Sequence, residues 1–241
     1  MLWPFKMPVK ASLVTYLAMF SAVAVIPARG GSKRIPRKNL IPVLGKPIIG
    51  WVIETALRSE LFEQVIVSSE DPEILETSQQ FGAIAYQRNP ALSDDFTHVG
   101  PVIKDCISTL NVKSDTVCLL YATALLLASS HLIMAAEMLS DPEVASVLTI
   151  AEFESPPQRA YEMATDLSIA MAQPDYLHWR SQDLPRRFRD AGMFSWRKNV
   201  PGQGKPRGLV IPKSRAVDID TPEDLALAIA LFNFHRSMNK G

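Results

Sequence analysis

The sequence lacks a net charge, because 25 lysine and arginine residues are balanced by 25 aspartate and glutamate residues. Proteins that bind long nucleic acids through a general positive field need an excess of basic residues. We therefore expect no long nucleic acid as a partner. Strong binding of any anion must depend on a local cluster of basic side chains.

Cysteine is also scarce. Cys106 and Cys118 lie in apolar stretches and do not have the spacing of metal ligands. A disulfide framework or a zinc site is therefore not expected. We predict two buried thiols in a cytoplasmic protein.

The chain has no apolar run long enough for a transmembrane helix, since the run Ala11–Ile26 has about 16 residues and about 20 are needed. Lys6 and Lys10 precede this run, so the amino terminus resembles a secretory signal. Cleavage after the run would, however, remove a predicted core strand. We interpret residues 1–22 as a nonessential extension, or as a start placed too early, with Met19 near the true beginning. A genuine signal is the alternative.

The rest of the chain alternates between strand-like and helix-like segments, which is typical of a mostly parallel sheet covered by helices on both faces. Its length suits one α/β domain, which we place at residues 23–240. From Glu154 to Phe188 the periodicity is lost, and we predict a substrate or dimerisation insert at about 152–196. Strands are predicted at Val23–Ala28, Gln64–Ser69, Ala83–Tyr86, Thr116–Tyr121, Val144–Ala151, Gly192–Trp196 and Leu209–Ile211, and helices at Pro47–Leu61, Asp71 to Gly82, Val99–Leu110, Ser129–Leu139 and Pro222–Met238.

A basic, glycine-containing turn follows the first predicted strand. Gly30 and Gly31 permit a sharp turn that presents backbone N–H groups to an anion. Five cations lie within ten residues of this turn: Arg29, Lys33, Arg34, Arg37 and Lys38. A nucleoside triphosphate carries about four negative charges and needs such a cluster. The alternative is a solvated basic loop, but the position after a strand favours phosphate binding.

Two carboxylates, Asp218 and Asp220, stand near the other end of the chain. In an extended segment residues i and i+2 point the same way, so both carboxylates can face one ion. Mg²⁺ prefers one or two carboxylates together with phosphate oxygens and water. Helix capping is the alternative, and it accounts for Thr221 to Asp224 but not for this pair. We therefore predict Mg²⁺ as the cofactor.

The basic turn resembles the nucleotide-binding signature of the CMP-sialic-acid synthetase family, which includes the acylneuraminate and pseudaminic acid cytidylyltransferases. The similarity extends over residues 23–235 and is carried by Ala28–Asn39, Gly45-Lys46-Pro47, Val65–Asp71, Arg88 with Leu92–Asp95, and Val217–Thr221. Membership implies a Rossmann-like nucleotidyltransferase fold, a homodimer, and a CTP-binding cleft at the carboxyl ends of the strands.

The resemblance also implies individual roles. Arg29, Lys33 and Lys38 match residues that act on the CTP phosphates, and we predict them as catalytic. Further nucleotide contacts are predicted at Ala28, Gly30, Gly31, Ser32, Asn39 and Arg88.

The middle of the chain is closer to the pseudaminic acid branch, as judged from Tyr121–Ala124, Pro157–Ala160, Arg180–Leu184 and Asp190–Phe194. It departs from that branch at Leu125-Leu126, where Pro-Phe is usual, and at Arg88–Ala91. Guanidinium groups suit the carboxylate of an acidic sugar. The predicted sugar contacts are Tyr121, Arg159, Arg180, Gln182 and Phe194. Surface solvation of the arginines and core burial of Phe194 remain alternatives.

These features, together with the resemblance, predict an enzyme that transfers CMP from CTP to the anomeric hydroxyl of a nine-carbon acidic sugar. Pseudaminic acid is the acceptor that we predict. N-acetylneuraminate, legionaminate and 3-deoxy-manno-octulosonate are alternative acceptors. A non-catalytic nucleotide-binding paralogue is the alternative from another class.

Overall fold

The computed structural model describes residues 21–94, 96–199 and 204–238. Within them the strands are β1 (Ala22–Pro27), β2 (Pro42–Val43), β3 (Lys46–Pro47), β4 (Gln64–Ser69), β5 (Ile84–Gln87), β6 (Thr116–Leu120), β7 (Val144–Glu152), β8 (Tyr161–Met163), β9 (Ile169–Met171), β10 (Phe188–Lys198) and β11 (Lys205–Val210). The α-helices are α1 (Ile48–Arg58), α2 (Pro72–Gln80), α3 (Val99–Thr109), α4 (Ser129–Leu139) and α5 (Pro222–Met238).

A seven-stranded sheet in the order β11-β7-β10-β6-β1-β4-β5 forms the centre of the fold. β1 pairs in parallel with β4 on one side and β6 on the other. Only β10 runs antiparallel to its neighbours β6 and β7. The predicted mostly parallel sheet is confirmed, and the carboxyl ends of β1, β4, β5 and β6 meet at one edge.

Helices cover both faces of this sheet because the side chains of β1 alternate between two cores. Ala24 and Ile26 belong to the larger core, together with buried residues of α1, α2 and α4. Val23 and Val25 point to the other face, where they pack with Ile103 and other residues of α3. This period-2 alternation, with both sets buried, is what a central strand between two helical layers requires.

Two of the helix starts carry side-chain caps. The Asp71 carboxylate accepts hydrogen bonds from the N–H groups of Glu73 and Ile74 at the start of α2. At α5, Asp224 accepts from the N–H of Thr221 at 2.8 Å, and the Thr221 hydroxyl accepts from the N–H of Asp224 at 3.2 Å. This reciprocal pair satisfies backbone donors that the helix itself leaves free.

The predicted insert at about 152–196 is wrong at its carboxyl-terminal side. Residues 188–198 form β10, which lies in the middle of the sheet between β6 and β7. The excursion from the sheet is therefore confined to residues 153–187, which carry the small antiparallel pair β8–β9. Only a short part of β10 was predicted, because its partners are remote in sequence and its outer positions are polar.

Both cysteines are buried and free, as predicted. Burial raises the pKa of the Cys106 thiol to about 12. Among the described residues no helix combines the length and apolar character needed to cross a membrane. The interpretation of the amino-terminal extension falls almost entirely outside the described residues.

Candidate active site

A cavity of 510 Å³ opens at the carboxyl ends of β1, β5 and β6. Its residues come from the basic turn, the segment after β5, the start of α3 and the end of β6. They are Pro27, Arg29, Ser32, Lys33, Arg34, Lys38, Asn39, Arg88, Leu92, Ser93, Asp94, Thr97, Val99, Val102, Leu119, Tyr121, Ala122 and Thr123. Ligands of parallel α/β sheets bind at this edge of the sheet.

Four of the five cations of the basic turn line this cavity: Arg29, Lys33, Arg34 and Lys38. Arg37 differs, since its guanidinium pairs with Asp71 at 2.7 Å and also with Glu73. Arg37 therefore connects the turn to the start of α2. The other four cations give the cavity the local positive charge that a triphosphate needs.

The backbone of the turn offers fewer free donors than predicted. The N–H of Ala28 donates to the Ser68 carbonyl at 2.9 Å, and the N–H of Ser32 donates to the Gly30 carbonyl at 3.0 Å. The N–H of Gly30 donates to Glu70 Oε1 at 2.7 Å. Three of the predicted nucleotide contacts thus have internal acceptors in this conformation. Asn39 is buried and donates to the Arg29 carbonyl at 3.0 Å, so it holds the turn in place.

Glu70 connects the turn to the predicted nucleoside residue. Its second oxygen, Oε2, lies 2.5 Å from Arg88 Nη2. Burial alone would raise the pKa of the Glu70 carboxyl, but the hydrogen bonds from Arg88 and Gly30 hold it below its usual value. Arg88 is only 4% exposed, and its Nε has no hydrogen-bond partner among the described residues. A buried donor at a cavity wall is suited to a ligand acceptor.

Sequence reasoning included Glu70 only as part of a matching stretch and gave it no role. The signal that could have identified it is its position. It directly follows β4, which pairs in parallel with β1, so the residues after the two strands must be neighbours.

Asp220 contacts the basic turn at the edge of this cavity, although neither Asp218 nor Asp220 is among the residues that line it. Asp220 Oδ1 lies 2.8 Å from Arg34 Nη2 and 3.4 Å from Lys38 Nζ. Lys38 Nζ also donates to the carbonyl of Ile219. The two ends of the chain that the sequence singled out therefore share one site.

Asp218 lies close to both Asp220 and Tyr121. Its pKa is raised, first by loss of hydration and then by the charge of Asp220, while Lys38 opposes the shift. Two carboxylates that repel each other across one site are a suitable donor set for a hard divalent cation. Groups of three or more potential metal ligands do not occur in the described residues. The pair fits Mg²⁺ only if phosphate oxygens and water supply the other ligands.

The predicted sugar contacts are divided by the structure. Tyr121 lines the main cavity. Arg159 and Arg180 are exposed on the excursion, where Arg180 Nε lies 2.6 Å from Asp183. Gln182 lines a separate, smaller cavity of 200 Å³. Within one chain, Arg159, Arg180 and Gln182 therefore do not line the main cavity.

The prediction that Phe194 contacts the sugar is wrong. Its side chain is 2% exposed and packs in the larger core, while its backbone exchanges hydrogen bonds with the Thr149 hydroxyl. Core burial, the alternative considered from the sequence, is what the structure shows. Leu125 and Leu126, which replace the usual Pro-Phe, are also buried and do not line the main cavity.

This constellation agrees with comparisons to known proteins. A sequence profile described as "Cytidylyltransferase" matches residues 23–231. A pseudaminic acid cytidylyltransferase of Campylobacter jejuni subsp. jejuni is 39% identical over 221 residues, which cover 87% of this chain and 95% of that protein. The chain belongs to the cytidylyltransferase family. It is therefore a nucleotidyltransferase.

Other cytidylyltransferases are more distant. N-acylneuraminate cytidylyltransferase A of Danio rerio is 31% identical over 212 residues, which cover 85% of this chain and 49% of that protein. The solved structure of a CMP:2-keto-3-deoxy-manno-octonic acid synthetase complexed with CTP has a TM-score of 0.66 at 21% identity and covers 89% of this chain and 99% of that one. At this identity the structural likeness supports the nucleotidyltransferase fold alone.

Proposed function

We propose that this enzyme transfers CMP from CTP to the anomeric hydroxyl of a nine-carbon acidic sugar, namely pseudaminic acid, and releases pyrophosphate. The ion pair between Lys38 and Asp220 carries the proposal, because it joins a phosphate-binding turn and a carboxylate pair in one cleft. The identity to a pseudaminic acid cytidylyltransferase supports the choice of sugar.

The nucleoside of CTP is proposed to bind beside Arg88. This guanidinium is held by Glu70 and has a buried Nε without a partner among the described residues. Ser93 and Thr97 also line the cavity. Such donors can pair with the acceptors of a pyrimidine base, and a base that leaves them unpaired is disfavoured.

The triphosphate is proposed to lie against Arg29, Lys33 and Lys38, which line the cavity together. The anomeric oxygen attacks the α-phosphorus, the bond from this phosphorus to the bridging oxygen of the β-phosphate breaks, and the hydroxyl proton passes to water. Negative charge then accumulates on the departing pyrophosphate. The three cations stabilise this charge, and positioning with electrostatic stabilisation can supply most of the acceleration.

Mg²⁺ is proposed to be held by Asp218 and Asp220, and when bound it neutralises phosphate charge. Lys38 bonds to the Ile219 carbonyl and to the Asp220 carboxylate, so it orients the segment that carries both acids. Arg34 adds a second cation on the Asp220 carboxylate.

A homodimer is proposed because the site of one chain lacks its predicted sugar-binding arginines. Arg159 and Arg180 lie on the excursion, outside the main cavity, and are exposed. The same excursion exposes large apolar side chains, namely Tyr161, Met163, Leu167, Ile169, Leu177 and Trp179. Exposed apolar groups of this number mark an interaction surface, and a second copy that covers them can bring the arginines to a cleft. The dimer is expected to work in the cytoplasm, where CTP is available.

The deciding experiment is to measure pyrophosphate release when the enzyme, CTP and Mg²⁺ are incubated with single sugars. Pseudaminic acid should give the highest kcat/KM, with N-acetylneuraminate, legionaminate and 3-deoxy-manno-octulosonate at least tenfold lower, a gap of about 1.4 kcal/mol in transition-state binding. A higher value for one of these three sugars would overturn the choice of pseudaminic acid. Binding of CTP without release from any sugar would favour the non-catalytic paralogue.

A further inference from the structure

A second cavity, of 390 Å³, lies apart from the proposed active site between α1, α5 and the start of α4. We propose that it is a binding site for a small phosphorylated anion with at least two negative charges. Three arginines and a histidine line it: Arg58, Arg215, Arg236 and His235. Their concentration is unusual in a chain whose formal net charge is zero.

None of these three guanidinium groups forms an ion pair with a carboxylate of the described residues. Arg58 Nη2 donates to the Thr55 hydroxyl at 3.3 Å, and Arg215 Nη1 donates to the Leu126 carbonyl at 3.0 Å. Arg236 lies over the ring of Trp51, 4.8 Å from its centroid. The hydroxyl, carbonyl and ring that contact these three guanidinium groups are thus all neutral.

Several arginines elsewhere in the molecule form ion pairs, although Arg159 and Arg189 donate to backbone carbonyls. Arg34, Arg37, Arg88, Arg180 and Arg186 each pair with an aspartate or a glutamate. Arginine forks match carboxylates and phosphates equally well. A cluster of arginines that face one cavity without a described carboxylate is therefore poised for an anion from solution.

The charge of this cluster contributes to the pKa shift of a buried neighbour, His131. Burial lowers the pKa of His131 to about 4, and the positive charge of Arg215 makes a smaller contribution in the same direction.

The walls of the cavity add neutral donors. Ser129 is the first residue of α4 and lines the cavity with Ala128. A helix amino terminus carries partial positive charge and free N–H groups, both of which favour a phosphate group.

The proposal is tested by calorimetric titration of the whole enzyme with inorganic pyrophosphate, which the proposed active site also binds. Four proteins are compared: wild type, Arg58→Gln/Arg236→Gln, the charge-matched control Arg197→Gln/Arg207→Gln, and the cleft variant Lys33→Gln. Wild type and control should bind at two sites. The Arg58→Gln/Arg236→Gln variant should weaken one site by about tenfold or more and keep the other. Lys33→Gln should show the reverse pattern.

Identical titrations of Arg58→Gln/Arg236→Gln and its control would overturn the proposal. Because Arg236 packs on Trp51, the single variant Arg58→Gln, at an exposed position, provides the same comparison if the double variant fails to fold. Failure of the proposed catalytic function would instead appear as absence of pyrophosphate release, which this titration does not measure.

Discussion

Lys38 is the residue at which the proposed site is assembled. Its ammonium group contacts Asp220, which lies 182 positions away in sequence. A cation and an acid so far apart are brought together only when the loop after β1 and the segment before α5 reach the same sheet edge. The chemistry of each residue was readable from the sequence, but their contact was not.

Asp220→Asn should lower turnover by about a hundredfold or more, because the amide keeps the size of the side chain but removes the charge that faces Arg34, Lys38 and the proposed Mg²⁺. Pyrophosphate release under saturating substrates measures this effect. The melting temperature should change little, and Glu223→Gln, at an exposed acid of the same segment, is the control. Near-normal turnover of Asp220→Asn would contradict the metal assignment.

Glu70→Gln should raise the KM for CTP by about tenfold and lower kcat less. The neutral amide no longer balances the charge of Arg88, which is 4% exposed, so the guanidinium and the Gly30 turn lose their common anchor. The unliganded variant should also melt at a lower temperature than wild type. Steady-state kinetics with varied CTP check the prediction, with Glu76→Gln on the exposed side of α2 as the control. An unchanged KM in Glu70→Gln would show that Glu70 does not position the nucleotide site.

Among the elements, the turn after β1 shows how packing changes the meaning of a sequence motif. The glycines were expected to serve the bend itself, yet neither Gly30 nor Gly31 has a positive φ, whereas Arg37 does, at 56°. Gly30 is required for space, since a Cβ there would lie 2.3 Å from Asp71 Oδ2. Gly31 has no atom within 4 Å of such a Cβ.

Gly30→Ala should therefore weaken CTP binding by about tenfold or more, because the added methyl group pushes the turn away from the Asp71 cap of α2. Gly31→Ala is the matched control and should stay within about twofold of wild type. Calorimetric titration with CTP compares the two variants. Equal affinities in both would mean that the turn relaxes without consequence for the nucleotide.

The start of α4 makes stability depend on pH. His131 Nδ1 accepts a hydrogen bond from the N–H of Ala128 at 3.3 Å, and burial lowers the pKa of His131 from 6.5 to about 4. The unfolded chain then binds a proton more readily than the folded one between these values. The contribution of His131 is present above pH 6.5 and is lost as the pH falls towards 4.

We expect this group to cost about 2 kcal/mol of unfolding free energy between pH 7.5 and pH 5. Urea unfolding at both pH values should show a smaller loss in His131→Gln than in wild type. His178→Gln, at an exposed histidine, should keep the wild-type loss. If His131→Gln lost as much unfolding free energy between these pH values as wild type does, the pH dependence would have to come from other groups.

For the molecule as a whole, the excursion at residues 153–187 stands outside the central sheet and exposes several large apolar side chains. The chain should behave as a dimer because Met163 and Ile169 form a cross-strand pair in which both side chains are more than 60% exposed. Met163→Glu/Ile169→Glu should shift the dimer towards the monomer by placing charges in the interface. Light scattering during size-exclusion chromatography measures the mass. The control is Leu227→Glu on the exposed face of α5, which should remain a dimer, and a monomeric wild type would contradict the proposal.

The sequence by itself determined the α/β class, the positions of the five α-helices, nearly all the central strands, and the two charged segments of the site. These depend on local periodicity, capping residues and charge density, which a short stretch of chain expresses on its own. Only the tertiary structure decided that residues 188–198 lie inside the sheet and that Phe194 is buried. It also decided that Glu70 accepts the hydrogen bond of the Gly30 N–H and that Arg37 pairs with Asp71 at the start of α2. Each of these outcomes depends on partners remote in sequence. Their choice follows from the packing of the whole sheet and its helices, because each strand or side chain has several locally acceptable partners and burial selects among them.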